Sequence, residues 1–391
     1  MEERIFLFIK RIKTRKEDGK MKRWAIGGIL SFLMMFMVFT FTHGAELYKF
    51  GTVACITGAI PQHGEYTLRG FKLALEDIEK SGMLKDGKIE VVAEDGQNVP
   101  RVALAALNKL INIDKVQYFE TVGSSVVLAL APIAAENKVV LMNTAATHPK
   151  IKEIGKPYVF SLIPGTASES KAAAQFSFTE LKEKSASILY VNNEYGHGAR
   201  DIFEKVFTNL GGKIVGKEIY DLGATDYRTA LTKVRAQNPG VVYFGGHANE
   251  CGRAIKQARE FGIKTPWIGT VAIGAPETLK LAGEAAEGIY AVAFPYDPVG
   301  GSPKMQEFNQ RFKNAFGVAP TIYSANSYIA AMLYARAIAT GAKTGPEISK
   351  FLFTIKGWDT IIGKISIDKD GMVDLPCRFL VVKGGNFVSY K

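Results

Sequence analysis

Residues 116–143 read VQYFETVGSSVVLALAPIAAENKVVLMN. A strand-type apolar run (116–121) and a second one (139–143) flank a Gly-Ser-Ser step and an apolar segment of helical length (126–136). Two strands joined by a helix rather than a tight turn run parallel, because a parallel pair needs a crossover. The second run breaks off into Thr144, Ala145, Ala146, Thr147, His148 and Pro149. Loops that only turn the chain are rich in Gly, Asn, Asp and Pro; this one is rich in small residues and hydroxyls. In open α/β sheets ligands bind beyond the carboxyl ends of the strands. The loop and the Gly123-Ser124-Ser125 step are therefore candidate ligand positions. The step also opens a helix, whose free N–H groups and dipole suit an anion.

Outward from this unit the alternation continues. Strands are expected at 48–56 and 88–93, and helices at 66–81 and 99–113. After a break around 158–165 the pattern restarts, with helices at 171–183, 198–210, 227–236 and 251–261. Strands at 187–191, 213–220, 241–245 and 267–269 alternate with them. The fold class expected is α/β, with two doubly wound, Rossmann-like lobes. The remaining segment holds a strand at 288–294 and helices at 302–317, 324–340 and 347–354. Short strands follow at 363–367, 374–376 and 378–382, with a DKDG hairpin turn at 368–371. These elements return to complete both lobes: 46–164 plus 295–365 form lobe I, and 165–293 plus 366–391 form lobe II. Crossings near 163–165, 292–296 and 364–368 make a multi-strand hinge about a central cleft.

Composition is that of a globular chain: 391 residues, 47% hydrophobic and 22% charged. Nine of the 49 basic residues and four of the 38 acidic ones fall in residues 1–44, so the net charge of +11 drops to +6 beyond them. The remaining charges alternate in sign along helical segments, the pattern of solvated faces rather than of a nucleic-acid partner. Met21-Lys22-Arg23 precedes the apolar run 24–42, which ends in Thr-His-Gly-Ala-Glu. A basic start, an apolar stretch and small residues at the end make residues 21–44 a signal peptide. An uncleaved anchor is the alternative, and residues 1–20 read as an upstream extension. Either way the folded part is exported. Cys55, Cys251 and Cys377 are too few for a disulfide framework, and buried thiols are expected at Cys55 and Cys377.

His63, His148, His197 and His247 lie far apart without metal-ligand spacing, so no metal or cofactor is expected. Ser124 lacks a nucleophile motif, and neither a GxGxxG nor a phosphate loop is present. A non-enzymatic role follows.

Taken together, TGAIPQHGEYTLRGFKLALEDI (57–78), VGSSVVLALAPIAAENKVVLMNTAATHP (122–149), NNEYGHG (192–198), GGK-x-V (211–215), Asp226-Tyr227 and VVYFGG-x(6)-RAIKQARE-x-G (241–262) resemble one family. It is the leucine/isoleucine/valine-binding protein family, the receptors of ABC importers with the type I periplasmic-binding fold. The resemblance spans about residues 47–382. It implies that Ser124, beside Ser125, and Ala145 and Thr147 hold a ligand's α-carboxylate and ammonium. It also implies that Tyr195 closes over the ligand from the second lobe, and that His63 and His247 line the side-chain pocket. The partners implied are a small-molecule ligand and an inner-membrane ABC permease, with the receptor a monomer. One position departs. The family's amino-acid binders carry an acidic residue after the W-I-G segment, whereas Trp267-Ile268-Gly269 leads here to Thr270 and Val271. A desolvated ammonium without an anion is costly. The expectation is thus a carboxylate-bearing ligand without an α-amino group, an aromatic or branched acid, unless Glu250 or Glu194 substitutes. A standard branched-chain amino-acid receptor and a sensing subunit for a signalling partner are the alternatives.

Overall fold

In the computed structural model, residues 46–390 are described apart from 86 and 298–300; the upstream extension and signal peptide expected over 1–44 lie outside them. The first half of the chain supplies strands β1 (Leu47–Ala54), β2 (Lys88–Asp95), β3 (Tyr118–Thr121), β4 (Val140–Asn143) and β5 (Val159–Ser161). Between them run helices α1 (Pro61–Ser81), α2 (Pro100–Asn112) and α3 (Ser124–Glu136). The strands form one parallel sheet in the order β2-β1-β3-β4-β5. β3 and β4 are buried at every residue, as strands covered by helices on both faces must be. Phe119, Leu141 and Val53 pack toward α2 and α3 on one face. Phe50, Tyr118 and Met142 face α1 on the other, together with helices returning from the far end of the chain.

The chain then leaves for a second sheet. Helices α4 (Thr166–Thr179), α5 (Glu194–Asn209), α6 (Arg228–Gln237), α7 (Ala248–Glu260) and α8 (Pro276–Ala282) alternate with strands β6 (Ser185–Val191), β7 (Lys213–Tyr220), β8 (Val241–Gly245), β9 (Trp267–Gly269) and β10 (Tyr290–Ala293). The sheet order is β7-β6-β8-β9-β10, all parallel. α4 and α5 cover one face through Phe176 and Phe203, and α6 and α7 the other through Leu231 and Ile255.

After β10 the chain crosses back. α9 (Pro303–Phe316), α10 (Ile322–Ala339) and α11 (Gly345–Leu352) lie on the first sheet, with α10 packed along α1. A small hairpin, β11 (Trp358–Thr360) and β12 (Gly363–Ile365), follows. A third crossing delivers β13 (Arg378–Lys383) and β14 (Asn386–Ser389), antiparallel, to the edge of the second sheet beside β10. Two doubly wound lobes joined by three chain crossings result, as in the fold class expected.

Some local expectations are corrected. The strand expected at 374–376 does not form; isolated bridges join Ser161 to Met372 and Ile367 to Val373 instead. The DKDG turn holds because Asp368 Oδ1 accepts from the N–H groups of Asp370 and Met372. Several helices also begin three to five residues earlier than their apolar periodicity indicates, and that shift positions the cleft residues. Cys55 and Cys251 are buried and Cys377 half-buried, all three as free thiols.

Candidate ligand-binding site

Both sheets have a topological switch point, where successive crossovers depart in opposite directions and leave a crevice. In the first sheet it lies between β1 and β3, in the second between β6 and β8. The segments after these four strands carry His63, Ser124, Tyr195 and His247. The two crevices face each other, and one cleft enclosing about 470 Å³, its open mouth included, lies between them. All eight residues singled out in the sequence line it: His63, Ser124, Ser125, Ala145, Thr147, Tyr195, His247 and Val271. Ile60, Asn98, Asn193 and Tyr323 also line it. Among the residues lining it, none is aspartate, glutamate, lysine or arginine.

Each side chain has a local reason to be there. The glycines of GAIPQHG and NNEYGHG read as loop formers, but Gly64 and Gly196 sit inside the first turns of α1 and α5. A Cβ at Gly64 would stand 2.3 Å from the Cys55 carbonyl oxygen, and one at Gly196 2.0 Å from that of Val191. These glycines let each helix start against the end of its preceding strand, which brings His63 and Tyr195 to the cleft. Asn193 caps α5 by accepting the Gly196 N–H at 3.0 Å. The 144–147 loop is shaped by Asn143, whose Oδ1 accepts from the N–H groups of Ala145 (3.2 Å) and Ala146 (2.7 Å), while its Nδ2 donates to the Ala146 carbonyl.

At one end, Ser124 opens α3, whose first-turn N–H groups have no intrahelical acceptor. Its Oγ accepts the His148 N–H at 3.3 Å. At the other end the aromatic groups converge. Tyr195 stacks on His247 at 5.2 Å between ring centroids, and His247 meets His63 across the cleft at 5.5 Å. His63 stands edge-on to Tyr323 at 4.7 Å. Burial lowers the imidazoles, His63 to about 3 with help from the neighbouring His247, and His247 to about 4. Both rings are neutral at physiological pH. The two ring nitrogens of His247 are buried without a hydrogen-bond partner among the described residues, the condition of a group that awaits a ligand or water.

The four histidines do not gather. His148 faces Glu194 at 3.4 Å, and the His197 ring stands 5.8 Å from that of Tyr190. Nor does either proposed substitute carboxylate line the cleft. Glu250 accepts from the N–H groups of Gly223 and His247 and from the Tyr220 hydroxyl, and Glu194 is half exposed.

The carboxylate nearest the departure at Val271 is one that sequence reasoning missed. Glu169 on α4, wholly buried, accepts the Thr147 hydroxyl at 2.9 Å and the Val271 N–H at 2.9 Å. Thr147 belongs to the first lobe, and α4 and Val271 to the second, so this carboxyl joins the two just behind the cleft wall. Beside it the Tyr195 hydroxyl is hydrogen-bonded to the Thr270 hydroxyl. No apolar periodicity or motif marks Glu169, which sits in the polar stretch Thr166–Ser170.

The chain matches the family model described as periplasmic binding protein over residues 48–386. It is 26% identical over 351 residues to the leucine-, isoleucine-, valine-, threonine- and alanine-binding protein of Pseudomonas aeruginosa, which covers 89% of this chain and 90% of that protein. The crystal structure of a leucine-binding protein from Thermotoga maritima superposes with a TM-score of 0.82 at 26% identity, over 88% of this chain and 98% of that one. A solute-binding protein of an ABC transporter from R. palustris, in complex with benzoate, shares the fold with a TM-score of 0.81 at 21% identity, over 88% and 95%. With two switch-point crevices closing on one cleft and a match across nearly the whole described chain, the protein belongs to the periplasmic binding protein family, among the substrate-binding proteins of leucine/isoleucine/valine type.

Proposed function

We propose that this protein is the periplasmic receptor of an ABC importer and that its ligand is a small carboxylic acid without an α-amino group, aromatic or branched. The observation that carries the ligand class is the uncharged cleft: a helix N-terminus and the Ser124 hydroxyl stand at one end, and no carboxylate lines it. An anion finds donors there, whereas a desolvated ammonium would need an anionic partner. The neutral rings of His63, Tyr195, His247 and Tyr323 would enclose the ligand's body. Capture requires no chemistry; the ligand bridges the lobes, leaves unchanged and passes to an inner-membrane permease.

A specific observation favours the second reading, an ordinary branched-chain amino-acid receptor. Glu169 lies within one hydroxyl of the cleft, behind Thr147. Thermal shift with matched pairs separates the two readings: leucine against 4-methylpentanoate, and phenylalanine against 3-phenylpropanoate and benzoate. Saturation at a hundred times Kd stabilises a protein by about 2.7 kcal/mol. Shifts with the acids alone are expected. Shifts with leucine or phenylalanine alone would establish the amino-acid receptor instead.

A further inference from the structure

Thr147 and Ser124 both line the cleft and carry a hydroxyl, and a hydroxyl has one hydrogen to give. Ser124 accepts from a backbone N–H, so its hydrogen is not needed for that bond. Thr147 directs its hydrogen at Glu169 Oε1, away from any ligand. If the carboxyl carries a proton on Oε1, the bond reverses: Glu169 donates, and the Thr147 hydrogen no longer points at Glu169. The Val271 N–H stays on Oε2 in both states.

We propose that Glu169 is the specificity-determining residue of this cleft: ionised, it makes Thr147 an acceptor suited to an ammonium, and protonated, it makes Thr147 a donor suited to a carboxylate. Resting on the reading above, the inference adds that capture of a carboxylate takes one proton from solvent onto Glu169. A ligand carboxylate on Thr147 would otherwise sit beside a second buried anion, which like-charge repulsion opposes.

The surroundings permit this titration. Burial pushes the Glu169 carboxyl up to about 7, against the opposing pull of the bonds from Val271 and Thr147. The titratable groups that face it are Tyr195 on α5, Tyr243 on β8, Tyr323 at the start of α10 and Cys377 before β13. Burial raises all four, so they stay neutral from pH 6 to 9. His63 and His247, lowered by burial, are also neutral across that range. Among the described residues, no lysine, arginine or histidine is one of the groups that set the Glu169 titration. As pH rises through 7 the free protein loses the proton and binding must restore it. The Kd for an acid therefore rises with pH, approaching tenfold per unit.

Isothermal titration calorimetry of the full chain tests this, with 4-methylpentanoate and benzoate at pH 6 to 9 in phosphate and in Tris, wild type against Glu169→Gln. The two buffers differ in ionisation enthalpy, so their difference counts protons. Glutamine keeps an acceptor for the Val271 N–H and donates its amide N–H to Thr147, which fixes the protonated arrangement. Expected are uptake approaching one proton in wild type above pH 7, none in Glu169→Gln, and a variant Kd that does not change with pH. Acid binding without proton uptake, equal in both proteins, would overturn the inference and leave the acid-receptor reading standing. If only leucine or phenylalanine binds, a loss of tenfold or more in Glu169→Gln upholds the control of Thr147 by Glu169 while the acid reading fails; an unchanged Kd overturns both. Infrared difference titration of the ligand-free protein gives a ligand-independent check. A neutral carboxyl band present at pH 6 in wild type, absent in the variant and lost by pH 9 supports the inference, and a carboxylate ionised throughout overturns it.

Discussion

Because the His148 N–H points into Ser124 Oγ, the Ser124 hydrogen is free to turn to a ligand, next to the N–H groups of the first turn of α3. Replacing it by alanine deletes one charge-assisted bond but leaves the helix end intact. Ser124→Ala should weaken ligand binding about 10- to 100-fold, the equivalent of one such bond. Tyr195 works from the other lobe, where its ring stacks on His247 and its hydroxyl meets Thr270. A ligand shifts the open–closed balance only through contacts that differ between the two states. Tyr195→Ala should therefore cost at least about tenfold in affinity and also reduce the ligand-induced compaction measured by small-angle X-ray scattering. Two variants that bind and compact like wild type would refute the assignment of the cleft. At this scale the residues on strand ends were legible, because position after a strand implies position at the crevice. Glu169 was not, because its burial comes from the packing of α4 against strands some hundred residues further along the chain.

Among the elements, the pairing of α1 with α10 holds the first lobe together. At Gly70 they approach closely: a Cβ there would stand 2.1 Å from the backbone carbonyl oxygen of Ser324, which cannot swing aside as a side chain could. Around this contact, Asp77 on α1 accepts from Arg311 on α9 and from the Tyr328 hydroxyl on α10. These bonds and the Arg311 charge hold the Asp77 carboxyl below its ordinary range despite burial. Gly70→Ala must push the helices apart, at about 1–3 kcal/mol of stability, which a lowered urea midpoint with an unchanged slope would register. His63 and Tyr323 project from the starts of the same two helices, so weaker ligand binding should accompany the loss. The existence and type of these elements could be read from apolar periodicity; their first turns could not. Gly, Asn and His at the strand ends signal loop by composition, whereas the close strand–helix approach that demands glycine is a tertiary fact.

At the level of the whole molecule, the chain visits the first sheet, builds most of the second, returns to the first and ends on the second. A chain stopped after Tyr296 would keep ten strands but lose α10, which buries Phe50 and Tyr118 through Tyr334, and β13, which protects the edge of β10. Such a fragment should lack a cooperative urea transition by far-ultraviolet circular dichroism; a sharp transition would mean that the lobes stand without their returning segments. The same route of the chain sets a clock. Contacts between α1 and α10 span more than two hundred residues, and folding slows as contacting residues lie further apart in sequence. During synthesis neither half is fully covered until the last quarter of the chain has emerged, so for most of that time the polypeptide stays loose enough to be threaded through a pore.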